Sequence, residues 1–326
     1  MTPATVAQSA LDTAGPAAAH IERLWWLMFW VATGVFVVTM AFLAAALIRR
    51  RSPMTRRTGD DPVALHPATE SALTSTVSIA VAATVVILFV LLVASFLTDR
   101  RVSALGAPSA LTIDLTGYQW WWQVEYEDPN PSLRVTTANE IHIPVGRPIA
   151  IKVTSQDVIH SLWIPNLQGK RDLIPGYTTA IWIQADRPGV YRGQCAEFCG
   201  FQHAHMALYV TAESEDDFQR WLTAQRAAAA APMTDEERHG RDVFLGTTCT
   251  QCHTIRGTIA GARLGPDLTH VASRGSLAAG TLPNTRGHLA GWISDSQSIK
   301  PGNRMPPNAM SGEDLQALLS YLERLK

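Results

Sequence analysis

Two long runs without a charged residue, Leu24–Ile48 and Ser71–Thr98, constrain this chain more than any other feature. A helix needs about 20 apolar residues to cross the hydrocarbon core of a bilayer, and both runs exceed that. Core helices of soluble proteins rarely stay charge-free for so long. Residues 1–105 are therefore expected to hold an N-terminal tail and a transmembrane hairpin, with spans at about 24–48 and 71–98. The first run is no ordinary signal peptide, because no basic segment precedes it and no small-residue cleavage site follows it closely. Trp25, Trp26 and Trp30 stand at its start, where indoles favour the headgroup layer. The loop between the runs carries Arg49, Arg50, Arg51, Arg56 and Arg57. Such a loop stays cytoplasmic, which puts the tail and everything after Thr98 on the outer face of a bacterial plasma membrane. Arg100 and Arg101 soften the charge contrast without changing the hairpin.

Beyond Thr98 the chain reads as soluble. The mean hydropathy of +0.04 averages an apolar hairpin with ordinary domains. A net charge of −1 over 326 residues provides no field for a polyanion, so nucleic acid is excluded as a partner. From 106 to 212 the pattern is short β-rich segments (LTIDLTG, YQWWWQVEY, EIHIPVG, IAIKVTS, TAIWIQA, GVYRGQC, MALYVT) separated by turn residues. That spacing predicts an antiparallel sandwich or barrel. Residues 213–232 read as a linker: an acidic patch (Glu213, Glu215, Asp216, Asp217), a short helix and the spacer Ala227–Pro232. Residues 233–326 form a small α domain. It opens on a capping box of Thr234 and Glu237 and closes on a stripe of Leu315, Leu318, Leu319, Leu322 and Leu325 introduced by Ser311 and Asp314. Its 10 Lys/Arg against 9 Asp/Glu leave it without electrostatic bias.

Four cysteines are too few to cross-link a chain this long, but they fall in two tight pairs, Cys195/Cys199 and Cys249/Cys252. The first lies in GQCAEFCGFQHAHM, with His203 and Met206 downstream and His160 upstream. Thiolates, imidazoles and a thioether form a soft donor set that favours copper over magnesium or calcium there. A lone blue-copper ion needs only one cysteine. The second cysteine leaves two metal readings, a Cys2His2 zinc site and a pair of coppers sharing both sulfurs. A disulfide or two inert thiols would leave the histidines and methionine as coincidence. Met206 favours copper, since a thioether adds little to zinc.

At these residues the chain resembles cytochrome c oxidase subunit II, a family with a two-helix anchor and a cupredoxin domain holding the binuclear copper centre CuA. The resemblance implies two coppers bridged by Cys195 and Cys199, with His160, His203, Met206 and the backbone carbonyl of Glu197 as the other ligands. It also implies that the Glu197 side chain meets a magnesium ion at the contact with subunit I. His205 is the rival of His203, but the family spacing selects His203. His142 is expected to be structural. GYQWWWQVEYED matches the family's aromatic run, which places Trp120 where electrons come in, while Trp121 fits alternate packing on a strand. KRDLIPG (170–176) resembles the segment facing subunit I, so Arg171 and Asp172 are candidates there. The likeness runs from about Leu24 to Thr211.

The second pair, Cys249-Thr-Gln-Cys252-His253, is the c-type haem attachment pattern: two thioethers hold the porphyrin and the histidine ligates iron. A zinc site would need a second C-x-x-C, which the chain lacks. Residues 233–326 resemble small class I cytochromes c, which implies Met305 as the second axial ligand, with Met310, His270 and His288 as lesser candidates. Gly265–Leu268 matches that family's loop beside the haem, with Pro266 near the proximal histidine. Trp292 is a candidate propionate partner or a core residue.

These resemblances together imply subunit II of a bacterial haem–copper oxidase with its own cytochrome c, the caa-type arrangement. Its expected fold is a transmembrane hairpin, an all-β cupredoxin-like sandwich and a small all-α cytochrome domain. Electrons would pass from haem c to CuA and on to subunit I, which holds a haem of a type and CuB and performs oxygen reduction and proton pumping. Subunit III, membrane lipid, and a bc complex or soluble cytochrome c as donor are the further expected partners. A nitric-oxide reductase with the same subunit plan is the rival enzyme. A tethered copper-delivery protein is the rival of another class, and it has no use for a covalent haem.

Overall fold

The computed structural model describes residues 6, 8–50, 67–106 and 111–326. Arg51, Arg56 and Arg57 of the basic loop lie outside them. The two apolar runs form α1 (Pro16–Arg50) and α2 (Pro67–Ala104). At 1.5 Å per residue each helix is more than 50 Å long, roughly, and so outreaches the hydrocarbon core at its ends. Phe42, Ile48, Ile79, Phe89 and Leu92 are exposed on them. Both helices are long and apolar enough to cross a membrane by length and composition. They make up one compact unit, His20–Ala104.

The other unit joins the residues up to Ala19 with Leu105–Lys326. Its tail is tied down: Ala14 N donates to Asn166 O (2.7 Å), Asp186 N donates to Ala14 O (2.7 Å), and Ala14, Ala17 and Ala18 are buried.

Ten strands follow: β1 (Thr112–Tyr118), β2 (Trp121–Tyr126), β3 (Val135–Ala138), β4 (Glu140–Pro144), β5 (Ile149–Ser155), β6 (His160–Trp163), β7 (Lys170–Leu173), β8 (Thr179–Ile183), β9 (Gly189–Cys195) and β10 (Ala207–Glu213). They form two five-stranded sheets, ordered β3-β2-β1-β5-β8 and β4-β10-β9-β6-β7. Most pairs are antiparallel, but β1 runs parallel to β5 and β10 parallel to β4. Burial alternates along β1, where Ile113 and Leu115 turn inward and Asp114 and Thr116 do not, as a half-buried strand requires. Ile113, Leu115, Trp122 and Val124 of one sheet and Ile141, Ile143, Leu208 and Val210 of the other belong to one buried cluster. YQWWWQVEY is not one strand: β1 ends at Tyr118, Gln119 and Trp120 make the turn, and β2 starts at Trp121.

The stretch 213–232 holds the short helix expected there. Its core is α3 (Glu215–Arg226), whose N-cap Ser214 accepts from Asp217 N. Glu215, Asp216 and Asp217 of the acidic patch fill the first turn, where the helix dipole favours negative charge. Phe218 and Leu222 complete the sandwich core. Beyond it, Ala229 N donates to Arg256 O (3.0 Å) in the last domain.

That domain holds α4 (Asp235–Gly246), α5 (Arg286–Ser294), α6 (Ser296–Ile299) and α7 (Gly312–Arg324). The Thr234/Glu237 capping box is formed, and Ser311 caps α7 by accepting from Asp314 N. The helices α4 and α7 meet at Gly240, where a Cβ would collide with the Ala317 carbonyl. Phe244, Leu318, Leu319, Tyr321 and Leu322 are packed around that crossing in a second core.

Candidate metal and haem centres

The first cysteine pair sits where two strands of one sheet stop. His160 opens β6, Cys195 ends β9, and the loop from there to Met206 leads into β10. That loop is clipped at its base, since Cys195 N donates to Met206 O (2.9 Å), and Ala196 N donates to Ser161 O of β6 (2.9 Å). The donor atoms converge. Cys195 Sγ lies 3.7 Å from Cys199 Sγ, 3.9 Å from His160 Nδ1 and 3.1 Å from Glu197 O. Cys199 Sγ lies 3.6 Å from His203 Nδ1 and 3.8 Å from Met206 Sδ. His160, Cys195, Cys199 and Met206 are all buried, and a Cβ on Gly117 of β1 would lie 2.8 Å from the His160 ring.

This donor set fits a soft metal pair. It offers two sulfurs close enough to be shared, an imidazole beside each, a thioether and a carbonyl, with no hard-oxygen cage. His160 Nε2 lies 2.9 Å from Asp157 Oδ1. That bond fixes the tautomer and leaves Nδ1 as the ligand atom facing Cys195. The two thiols share a hydrogen bond. It pulls the Cys195 thiol to about 3 despite burial, and together with burial it pushes Cys199 up. A thiol shifted downward, as that of Cys195 is, gives up its proton readily, as a metal ligand must. Burial pulls His160 down, but its bonds to Cys195 and Asp157 outweigh that and raise it overall.

His205 is turned away: it is exposed, and its Nδ1 lies 2.9 Å from Gln202 Oε1. His142 stands apart from the cluster, stacked on Trp221 at 4.2 Å and 2.9 Å from Glu213 Oε1. The Glu197 carboxylate is half exposed, 3.6 Å from Lys170 Nζ. Arg171 is exposed on β7, and Asp172 accepts from Ser161 Oγ (2.8 Å).

The second pair follows α4 on a short turn in which His253 N donates to Cys249 O (3.0 Å). Cys249, Cys252, His253, Met305 and Trp292 line a cavity of about 500 Å³. His253 Nδ1 lies 2.7 Å from Pro266 O, so Nε2 is the atom free for iron. Burial lowers the His253 pKa, which keeps the ring neutral as a ligand must be. A Cβ on Gly265 would sit 2.8 Å from His253 Cε1, so the residue beside that ring has to be glycine. Across the cavity the Met305 loop is pinned, its carbonyl accepting from Ser296 Oγ (2.6 Å) and Gln297 Nε2 (2.8 Å). Met310, His270 and His288 do not line the cavity. His270 Nδ1 lies 2.9 Å from Lys326 O, and His288 Nδ1 2.8 Å from Thr285 Oγ1. The crevice fits a porphyrin anchored by two thioethers.

Residues 131–213 match the family described as cytochrome c oxidase subunit II, periplasmic domain, and residues 237–326 match cytochrome c. Cytochrome c oxidase subunit 2 of Alkalihalophilus pseudofirmus is 36% identical over 98% of this chain and 91% of its own. The chain belongs to the cytochrome c oxidase subunit II family. It is thus one subunit of an oxidoreductase complex and carries a fused cytochrome c domain. The same subunit of Bacillus sp. strain PS3 is 27% identical over 74% of this chain and 72% of its own. A crystal structure of the periplasmic domain of subunit II from Bradyrhizobium japonicum, 30% identical, aligns with a TM-score of 0.34 over 36% of this chain and 95% of that one.

In this subunit II the aromatic run stands between the two candidate centres. Trp120 is buried, and its Nε1 donates to Cys199 O (2.9 Å), as does Gln119 Nε2 (2.8 Å). Trp120 and Trp121 also line the cavity of the second cysteine pair. Trp121 stacks on Tyr118 at 4.6 Å. The motifs did not disclose Asp157, Gln119 or Lys300. Asp157 sits three residues before His160 and resembles any turn aspartate, and the other two act through partners remote in sequence.

Proposed function

We propose that this chain is the electron-delivering subunit of a caa-type terminal oxidase, taking electrons at its own cytochrome domain and handing them to subunit I. When bound, haem c on Cys249, Cys252, His253 and Met305, and two coppers on His160, Cys195, Glu197 O, Cys199, His203 and Met206, would supply the one-electron chemistry, ending in oxygen reduction and proton pumping in subunit I. One observation carries this reading: Trp120 lines the cysteine–histidine cavity and donates to the carbonyl of Cys199, so a single side chain links both candidate sites.

The protein's own residues hold these groups still and dry. Asp157 and the Pro266 carbonyl orient the two histidines, and burial of Cys195, Cys199 and Met206 excludes water. Rigid, desolvated ligands change little between redox states. On assembly the outward Glu197 carboxylate would serve the magnesium ion expected at subunit I, with Arg171 and Asp172 near that contact. A bc complex or soluble cytochrome c is the proposed donor, and subunit III a further partner. Tail residues and the β domain share one compact unit, so a chain crossing the membrane twice returns to the side it left. With the arginine loop inside, that side is the periplasmic one.

The test is an absorption and EPR spectrum of the purified complex, with metal analysis. A mixed-valence two-copper signal together with a low-spin c-type haem is the expected result. One zinc and no copper would refute the copper assignment. Oxygen uptake without nitric-oxide consumption separates the oxidase from the reductase.

A further inference from the structure

Lys300, at the C-terminal end of α6 in the cytochrome domain, is only 2% exposed. Its Nζ donates to three carbonyls: Trp120 O (2.8 Å), His205 O (2.7 Å) and Ala278 O (2.9 Å). The first two belong to the β domain and the third to its own. An ammonium has three donors, and here all three are used. Among the described residues no carboxylate forms an ion pair with Lys300. A buried charge without a counter-ion is costly and persists only where polar groups replace its hydration completely. Burial pulls this lysine to about 7, with the charge of nearby Cys199 opposing that shift; the three carbonyls take the place of its lost hydration.

Neighbouring contacts close the same junction. Gln202 Nε2 of the cysteine loop donates to Pro301 O (2.8 Å), and Ala207 N of β10 donates to Ala279 O (3.0 Å). Glu140 of β4 accepts from Gly275 N (2.7 Å). A Cβ on Gly302 would lie 3.6 Å from the Trp120 ring. Trp120 is therefore held at both ends, its carbonyl by Lys300 of the cytochrome domain and its indole by the Cys199 carbonyl.

We propose that Lys300 is a positioning residue that locks the cytochrome domain onto the cysteine-loop face of the β domain, so that its haem crevice stays seated over Trp120. This rests on the functional reading above. With both groups bound, one electron would pass from the haem held by Cys249, Cys252, His253 and Met305 to the coppers held by the Cys195/Cys199 set, the donor oxidised and the acceptor reduced by that one electron with no bond or proton changing. With the lock in place, that step needs no prior docking. The chain behaves as one fixed carrier pair rather than as a donor swinging on a tether.

The test compares the intact oxidase with its Lys300→Met variant, which keeps side-chain length and removes the three hydrogen bonds. Haem absorption and copper EPR, read first, decide the functional reading separately. In the unaltered complex, hydrogen–deuterium exchange should show the Ala207 amide and segment 275–283 protected, and the haem-to-copper rate should not change with glycerol viscosity. In K300M, protection at Ala207 should fall. The rate should drop at least about tenfold and become viscosity-dependent, because each transfer then waits on re-docking of the cytochrome domain. A variant with unchanged protection and rate overturns the proposal. So does a viscosity-dependent rate in the unaltered complex, a measurement that stands even if the variant fails to assemble.

Discussion

Individual residues carry the chemistry, and their surroundings decide how well. Asp157 illustrates this: it braces His160 and also accepts from Gln119 N (2.7 Å), the residue before Trp120. Removing such an outer partner costs roughly 10–100-fold in metal affinity. Asp157→Asn should therefore fold but lose copper to a competing chelator at 10–100-fold lower concentration; unchanged retention would show the bond to be incidental. The choice between methionines belongs to the same scale. Met305 lines the cavity and Met310 does not. Methionine ligation raises a haem potential, and axial ligands command a span of about 0.8 V. Met305→Ala should lower the haem midpoint by on the order of 0.1 V, and Met310→Ala should leave it in place, as read by redox titration. The opposite pattern would move the axial role to Met310.

At the scale of elements, the sequence was most readable where one local rule ruled alone. Charge-free runs became α1 and α2, the capping box became the start of α4, and the leucine stripe became α7. The strands β3, β6 and β7 were not visible, because four residues are too few to display a period of two. The packing of α3 was not visible for a related reason: Phe218 and Leu222 give it a narrow apolar face whose partner is a sheet distant in sequence. The α4–α7 crossing supplies a sharp test. With Gly240 against the Ala317 carbonyl, Gly240→Val should cost about 1–3 kcal/mol by overpacking. That loss should appear as a lower midpoint in denaturant unfolding of the cytochrome domain, followed by its haem absorbance. Equal stability would mean the helices part without cost.

For the whole molecule, the two cysteine motifs were legible because each spans only a few residues, whereas the way the soluble domains meet was not. Lys300, Gln202 and Glu140 each bond across gaps of about 95 residues or more, and no local pattern announces such pairs. Topology can be argued from both sources. Arginines at 49–57 favour the cytoplasm, and the tail before α1 bonds to the β domain after α2 through Ala14. A chain that spans the membrane between them would need an even number of crossings, which the two apolar helices are long enough to supply. A cysteine placed in the loop at Ser52 should accordingly stay unlabelled when intact cells are treated with a membrane-impermeant maleimide. One placed at Glu313, exposed at the start of α7, should be labelled in full. The four native cysteines, two buried and two part-buried, give a low background against which both are read. Labelling at Ser52 with protection at Glu313 would invert the subunit and place its cytochrome domain in the cytoplasm, out of reach of any periplasmic donor.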